Sequence, residues 1–315
     1  MDTEVKAAGA AAEAAARKGR TTLIGMACMA ASALLFMSGN AVIKLLAESG
    51  IPPVQTVFFR ALVSLILLTP FALMTPGVLK TDRLVTHGIR GIVQAASMIC
   101  FFSGIVSISL VEGNALEFTS PIFATLFAVL FMGEAIRARR LIAMACGFLG
   151  ALIALRPGFA EINQGHGFIL VASILWAAVL LMIRSLSTTE SALTQSLYIG
   201  IILTPIAGVL AALVWVTPDW HQLALLAFVG CTATLGQYLF AQAFRFAEMS
   251  AVLPLDFTKL IWSSIIGLLI FHTTPDAFVL LGGTIIFVSG AYITIREAQI
   301  QRRAALSPSV PPALP

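Results

Sequence analysis

The sequence predicts an all-α polytopic membrane protein whose ten transmembrane helices form two inverted five-helix repeats. Three observations carry that expectation. Of the 315 residues, 59% are hydrophobic and 11% are charged, against about 25% charged in an ordinary soluble domain, so there is too little polar surface to face water on all sides. The apolar residues recur in blocks near the roughly 20 residues that a helix needs to cross the hydrocarbon of a bilayer. The second half of the chain also matches the first when it is shifted by about 140 positions. A closed β-barrel, the other spanning solution, would need alternating polar and apolar residues over about ten positions, and these blocks are continuously apolar.

Polar punctuation sets the span limits. The first two spans run over 22–43 and 54–74, the next two over 86–109 and 113–132. The fifth, 141–155, is short, and 167–183 opens the second half. Spans over 193–216, 223–244, 251–271 and 277–295 complete the set. Basic residues favour the cytoplasmic side. With the N-terminus inside, the inner segments hold Lys6, Arg17, Lys18, Arg20, Lys80, Arg83, Arg137, Arg139, Arg140, Arg184, Arg245, Arg296, Arg302 and Arg303, whereas the outer loops hold Arg156, with Lys44 at a span edge. Both termini are therefore expected in the cytoplasm, in agreement with an even number of spans. The division expected is a cytoplasmic tail over 1–20, a first repeat over 21–156, a second over 157–297 and a disordered cytoplasmic tail over 298–315. The Ala-rich opening segment reads as mobile or weakly helical.

Several function classes drop out. The net charge of +4 is a topology signal, so no nucleic-acid partner is expected. Loops of at most about ten residues are too short to build a catalytic head outside the membrane. Cys28, Cys100, Cys146 and Cys231 all fall within spans, so no disulfide framework is implied. His87, His166, His221 and His272 are scattered near span ends without ligand spacing, and no metal site is expected. No phosphate-binding GxxxxGK[ST] loop occurs, so nothing suggests direct drive by ATP and no cofactor is expected.

The internal match has particular residues in it. At an offset of 140, Phe36 meets Trp176, Lys44 meets Arg184, and Gln55 meets Gln195. FLGALI at 148–153 meets VSGAYI at 288–293. The strongest stretch is ALEFTSPIF (115–123) against PLDFTKLIW (254–262), which superposes Glu117-Phe118-Thr119 on Asp256-Phe257-Thr258 at an offset of 139. Five spans per unit place the two halves in opposite orientations. That is the architecture of many secondary transporters, with the binding site at mid-membrane between halves.

Tandem five-span units, an aromatic early in the first span of each, and Gly133-Glu134 ending the fourth span resemble the drug/metabolite transporter superfamily, and more narrowly its EamA-type members. FFRALVSLILLTP, EFTSPIFATLFAVLFMGE and PLDFTKLIWSSIIGLLIF carry the likeness, which covers about residues 20–297. The second unit departs from the pattern, with His272-Thr273 where a Gly-Glu pair would stand. The resemblance implies a ten-helix bundle around a central cavity that carries small organic solutes by alternating access. Members of the family export amino acids or import S-adenosylmethionine and riboflavin.

Charges inside spans cost at least about 2.5–3.5 kcal/mol and normally face a partner or a wet cavity. Arg60 lies roughly 9 Å below the outer end of span two at 1.5 Å per residue. Glu117 is one turn inside span four, within reach of headgroups. Lys259 is near the middle of span nine, too deep to snorkel easily, and Asp256 is one turn closer to the inner end. Residues three apart on a helix are neighbours. Asp256 and Lys259 therefore either neutralise each other as a structural pair or line the cavity and bind substrate or a coupling proton, and Arg60 can pair with either acid across helices. Phe36, Asn40 and Lys44 share a face of span one, and Arg90, Gln94 and Ser97 share a face of span three. Tyr238, Gln242 and Arg245 do so on span eight. Such residues serve either helix–helix hydrogen bonding or substrate contact. Trp176 and Trp262 either stack on a planar ligand or simply pack. Ala143, Gly147 and Ala151 form a close-packing stripe on span five. Pro121 and Pro254 each remove one helical hydrogen bond, giving a static kink or a hinge.

The expected function is secondary active transport of a small, amphipathic or aromatic metabolite or an amino acid, with specific import of riboflavin or S-adenosylmethionine as the alternative. The expected partners are a small-molecule substrate, the lipid bilayer, a coupling proton as one option and a homodimer as another. An intramembrane enzyme would need a nucleophile–base or metal constellation, and none is visible. A non-transporting scaffold would use its buried charges only for folding.

Overall fold

The computed structural model describes residues 2–132, 138–155, 163–186, 189–246, 255–256, 258–274 and 276–306. These are helical throughout, apart from short connections, with α1 Asp2–Glu48, α2 Pro53–Met74, α3 Leu84–Ser107, α4 Leu110–Glu117, α5 Ser120–Met132, α6 Ala138–Leu155, α7 Gln164–Leu186, α8 Ala192–Ala212, α9 Trp220–Phe246, α10 Thr258–Phe271 and α11 Ala277–Leu306. Six of them contain segments long and apolar enough to cross a membrane: Leu23–Glu48, Pro53–Met74, Leu84–Ser107, Gln164–Ile183, Ala192–Ala212 and Trp220–Ala243. The other four spans read from the sequence fall on α4 with α5, on α6, on α10 and on α11. Both tails are more helical than expected, and residues 307–315 lie outside the described residues. The Ala-rich opening segment continues α1 as one helix, and α11 runs on to Leu306. Ala, Glu, Gln, Lys and Arg are strong helix formers, and extending an existing helix avoids the cost of nucleation.

Helix ends follow from local chemistry. Pro53 opens α2, where its missing N–H has no helical partner to lose. Ser109 and Glu112 form a reciprocal capping box at α4, with the Glu112 amide donating to Ser109 Oγ and the Ser109 amide donating to Glu112 Oε2. Asp219 and Gln222 do the same for α9. At the end of α10, His272 takes a left-handed φ of 52°, a conformation favoured by glycine. The position aligned with it at an offset of 139 is Gly133, which lies with Glu134 outside the described residues.

The fourth span is broken. α4 stops at Glu117, a turn occupies Phe118-Thr119, and α5 resumes at Ser120. Pro121 has no N–H to return to the Glu117 carbonyl, and Ser120 Oγ donates to that oxygen at 2.7 Å instead. Thr119 Oγ1 donates to Leu116 O at 2.7 Å. In the second half, Thr258 Oγ1 donates to Leu255 O at 2.6 Å, the same bond shifted by 139 positions. Pro254 lies outside the described residues.

The two halves interlock. α1 packs on α9, α3 on α7, α2 on α8 and α6 on α11, each pair joining a helix of the first five spans to one of the second five. Hydrogen bonds repeat the relation. Arg83 Nη1 donates to Thr189 Oγ1 and to Ser185 O, while Gln222 Nε2 donates to Ser49 Oγ and Ser49 O, an equivalent tie at the opposite end of the bundle. Gly147, in the small-residue stripe of α6, is buried against Ile122, and Gly150 meets the Gly282 carbonyl. The largest buried cluster joins Ala61, Met98, Phe102, Leu116, Ile169 and Leu203, so the core lies between the halves. Outward-facing apolar residues such as Leu73, Met74 and Trp220 are more than 80% exposed, the arrangement expected where lipid replaces water.

Candidate functional site

Lys259 and Asp256 occupy one face of the ninth span because they are three residues apart. Lys259 Nζ stands 2.8 Å from Asp256 Oδ1, with the two side chains 15% and 21% exposed. Lys259 also lies over the Phe36 ring, 5.7 Å from its centre, which adds a cation–π contact from α1. Glu117 interacts electrostatically with both Lys259 and Asp256. The acid of the first repeat's motif therefore lies within electrostatic range of the acid and base of the second, beside the break in the fourth span. Half-helix ends inside a bundle are characteristic of transporter binding sites. Glu117 is partly buried.

Depth can be read along the helices. α1 and α10 end, and α2 and α4 begin, at one face of the bundle, where Lys44 Nζ donates to Ile108 O at 2.7 Å and sits over the Phe271 ring. Phe36 is twelve residues from Glu48 and Lys259 twelve from Phe271, about 18 Å below that face in each case. Arg60 and Glu117 are each seven residues from the start of their helices, about 10 Å down. The pair thus lies near mid-bundle, with Arg60 and Glu117 nearer one mouth.

Arg60 does not pair with either acid, contrary to one expectation. Nη1 donates to Met98 Sδ at 3.2 Å, and Cζ is 6.0 Å from the centre of the Phe102 ring. Asn40 Nδ2 reaches Asn114 Oδ1 at 3.5 Å, and the Asn114 amide donates to Leu110 O. On span three the polar face divides. Arg90 Nη1 donates to Gln195 Oε1 at 3.0 Å and Ser97 Oγ to Ala172 O at 2.9 Å, both helix–helix ties, whereas Gln94 Oε1 is buried without a partner among the described residues. Trp262 is half-buried one turn above Lys259, and its Nε1 is also buried without a partner. Trp176 is half-buried on α7 and Tyr238 is 59% exposed on α9. Neither makes a hydrogen bond or ring contact with the acid–base group among the described residues. A separate cavity of about 430 Å³ opens between the start of α4 and the α10–α11 connection, lined by Ser109, Glu112, His272, Thr274 and Asp276 among others. Its one signal in the sequence was the departure at His272-Thr273.

Two successive segments, 23–156 and 163–295, match the model of the EamA-like transporter family. The chain belongs to that family. EamA-like proteins are transporters and not enzymes, so this chain is a multi-pass membrane transporter of a small metabolite. Among the relatives of this EamA-like chain, an S-adenosylmethionine uptake transporter of Rickettsia bellii is 28% identical over 265 residues, covering 84% of this chain and 91% of the relative. A riboflavin transporter of Vibrio cholerae is 29% identical over 287 residues, covering 89% and 96%. A riboflavin transporter of Rhizobium johnstonii is 31% identical over 220 residues, covering 70% and 73%. A protein crystal structure of 15% identity superposes with a TM-score of 0.59 over 90% of this chain and 99% of its own, a likeness that speaks to the fold alone.

Proposed function

We propose that this chain is a secondary active transporter that carries a small organic metabolite across the bacterial cytoplasmic membrane by alternating access, with both termini inside. The substrate class is an amino acid or an amphipathic or aromatic metabolite. The observation that carries the reading is the Asp256–Lys259 pair inside the bundle, with Glu117 at the broken fourth span within its electrostatic range. A charge inside a bundle is costly, and such charges mark substrate or ion pathways. Asp256, Lys259 and Glu117 form the centre of the site. Arg60, Asn40, Gln94 and Trp262 are assigned to its flanks, and Trp176 and Tyr238 are further candidate contacts. A carboxylate beside a cation is also suited to carry a coupling proton. The relatives support a second, more specific reading, import of S-adenosylmethionine or riboflavin.

Flux into proteoliposomes tests the proposal. Purified protein is expected to move at least one member of a panel of amino acids, S-adenosylmethionine and riboflavin, faster with an imposed proton gradient than without. No movement of any solute by folded protein would overturn it.

A further inference from the structure

The surroundings of Arg60 set a condition on the solute, if the chain transports as proposed above. A guanidinium has five N–H donors, and the partners of this one are a thioether sulfur, a weak acceptor, and one aromatic face. Among the described residues no carboxylate pairs with it. An unpaired charge in a bundle is costly to keep.

Two buried polar atoms, one on α3 and one on α10, have no partner among the described residues. Gln94 lies one turn from Met98 on the same face of α3, and its Oε1 has no partner. Trp262 lies one turn from Lys259 on α10, and its Nε1 has none either. Folded proteins satisfy about 90% or more of such atoms, and a cation on α2, an acceptor on α3 and a donor on α10, all without a full set of partners, point to a ligand that brings complementary groups. The charges agree. Lys259 is already paired with Asp256 at 2.8 Å, and among the described residues neither Glu117 nor Arg60 makes an ion pair. Both stand about 10 Å below the same face of the bundle.

We propose that Arg60 binds the carboxylate of a zwitterionic solute bearing an α-amino-acid group, with the solute's ammonium facing Glu117 and its less polar part against Phe36 and Trp262. Two acids and two bases make the site neutral, and a zwitterion pairs both incomplete charges while keeping it so. A solute without a carboxylate leaves Arg60 unpaired.

The test uses full-length protein in proteoliposomes with radiolabelled S-adenosylmethionine, riboflavin and the common amino acids. The expected result is that a carboxylate-bearing probe moves and riboflavin does not compete. The carboxamide of the transported probe should compete about thirtyfold or more weakly than the acid, the effect of losing one partner of a buried charged pair. Arg60→Met should remove this discrimination, so that acid and amide compete equally, and Arg60→Lys should restore part of it. Transport of riboflavin without competition from any carboxylate-bearing probe would overturn the zwitterion assignment while leaving the transport reading intact. Equal competition by acid and amide against the unmutated protein would do the same, and needs no variant that might misfold. If no probe moves, the transport reading fails and the assignment with it.

Discussion

Gly91 on α3 leaves room for Ile202 on α8. A Cβ at position 91 would stand 2.4 Å from Ile202 Cγ2, nearer than real Cβ contacts come. The relation recurs at an offset of 139, where a Cβ at Gly230 on α9 would stand 2.4 Å from Val63 Cβ on α2. Each half lends a β-branched residue to a glycine of the other, and the two contacts are mirror uses of one packing rule: small residues let membrane helices approach closely.

Substituting either glycine should therefore overpack the interface between halves. Gly91→Leu and Gly230→Leu are each expected to cost about 1–3 kcal/mol. Gly88→Ala is the control, because nothing lies within 4 Å of a Cβ there and alanine favours a helix by up to about 1 kcal/mol over glycine. Thermal unfolding of the detergent-solubilised protein should give lower midpoints for the first two and an unchanged or higher one for the third. Equal midpoints in all three would remove the close approach from the account.

Arg90 offers a contrast with Arg60. It is 6% exposed and tied to Gln195, which is itself 6% exposed. Hydrogen bonds to charged groups contribute about 1.5–3 kcal/mol, so Arg90→Met should lower the yield of monodisperse protein and its unfolding midpoint while leaving flux per folded molecule nearly unchanged. Selective loss of flux with full stability would make Arg90 part of the transport path.

What was legible in the sequence depended on range. Span limits emerged because the apolar blocks end in polar residues, some with helix-capping chemistry, as at Ser109 and Asp219. The break in span four was foreshadowed by Pro121, and the Asp256–Lys259 contact by a spacing of three. Contacts across helices were not legible. Nothing local says that the Arg60 guanidinium meets Met98 and Phe102 in place of an acid. His87, placed near a span end by the sequence, is fully buried and stacks on Tyr198 with ring centres 4.4 Å apart, a pairing made only when α3 and α8 come together. The offset of 139 was visible in one motif, and its reach became clear only when the threonine bonds and glycine contacts repeated at the same shift.

Orientation is open to a direct check. In a cysteine-free background lacking Cys28, Cys100, Cys146 and Cys231, Thr217→Cys should react with a membrane-impermeant maleimide on intact cells. Lys80→Cys should react only after permeabilisation. Both sites are exposed in the structure, so failure to react reports sidedness and not burial. The reverse pattern would place both termini outside, against the distribution of basic residues.

The decisive variants concern the acid–base pair itself. Asp256→Asn leaves Lys259 in the field of Glu117, whereas Lys259→Met leaves two carboxylates sharing no cation. Removing one partner of a buried pair costs about 3–5 kcal/mol when nothing compensates, so Lys259→Met should be the less stable of the two. Flux per folded molecule should be abolished in both, including Asp256→Asn, whose expression should stay near normal. If the pair were merely structural, both would lose folded protein alike, and the exchanged double variant Asp256→Lys with Lys259→Asp would recover activity, because the contact is kept. If the pair is the site, the exchange moves the cation three residues along the helix, about 4.5 Å, away from Phe36 and Glu117, and flux should not return even where stability does.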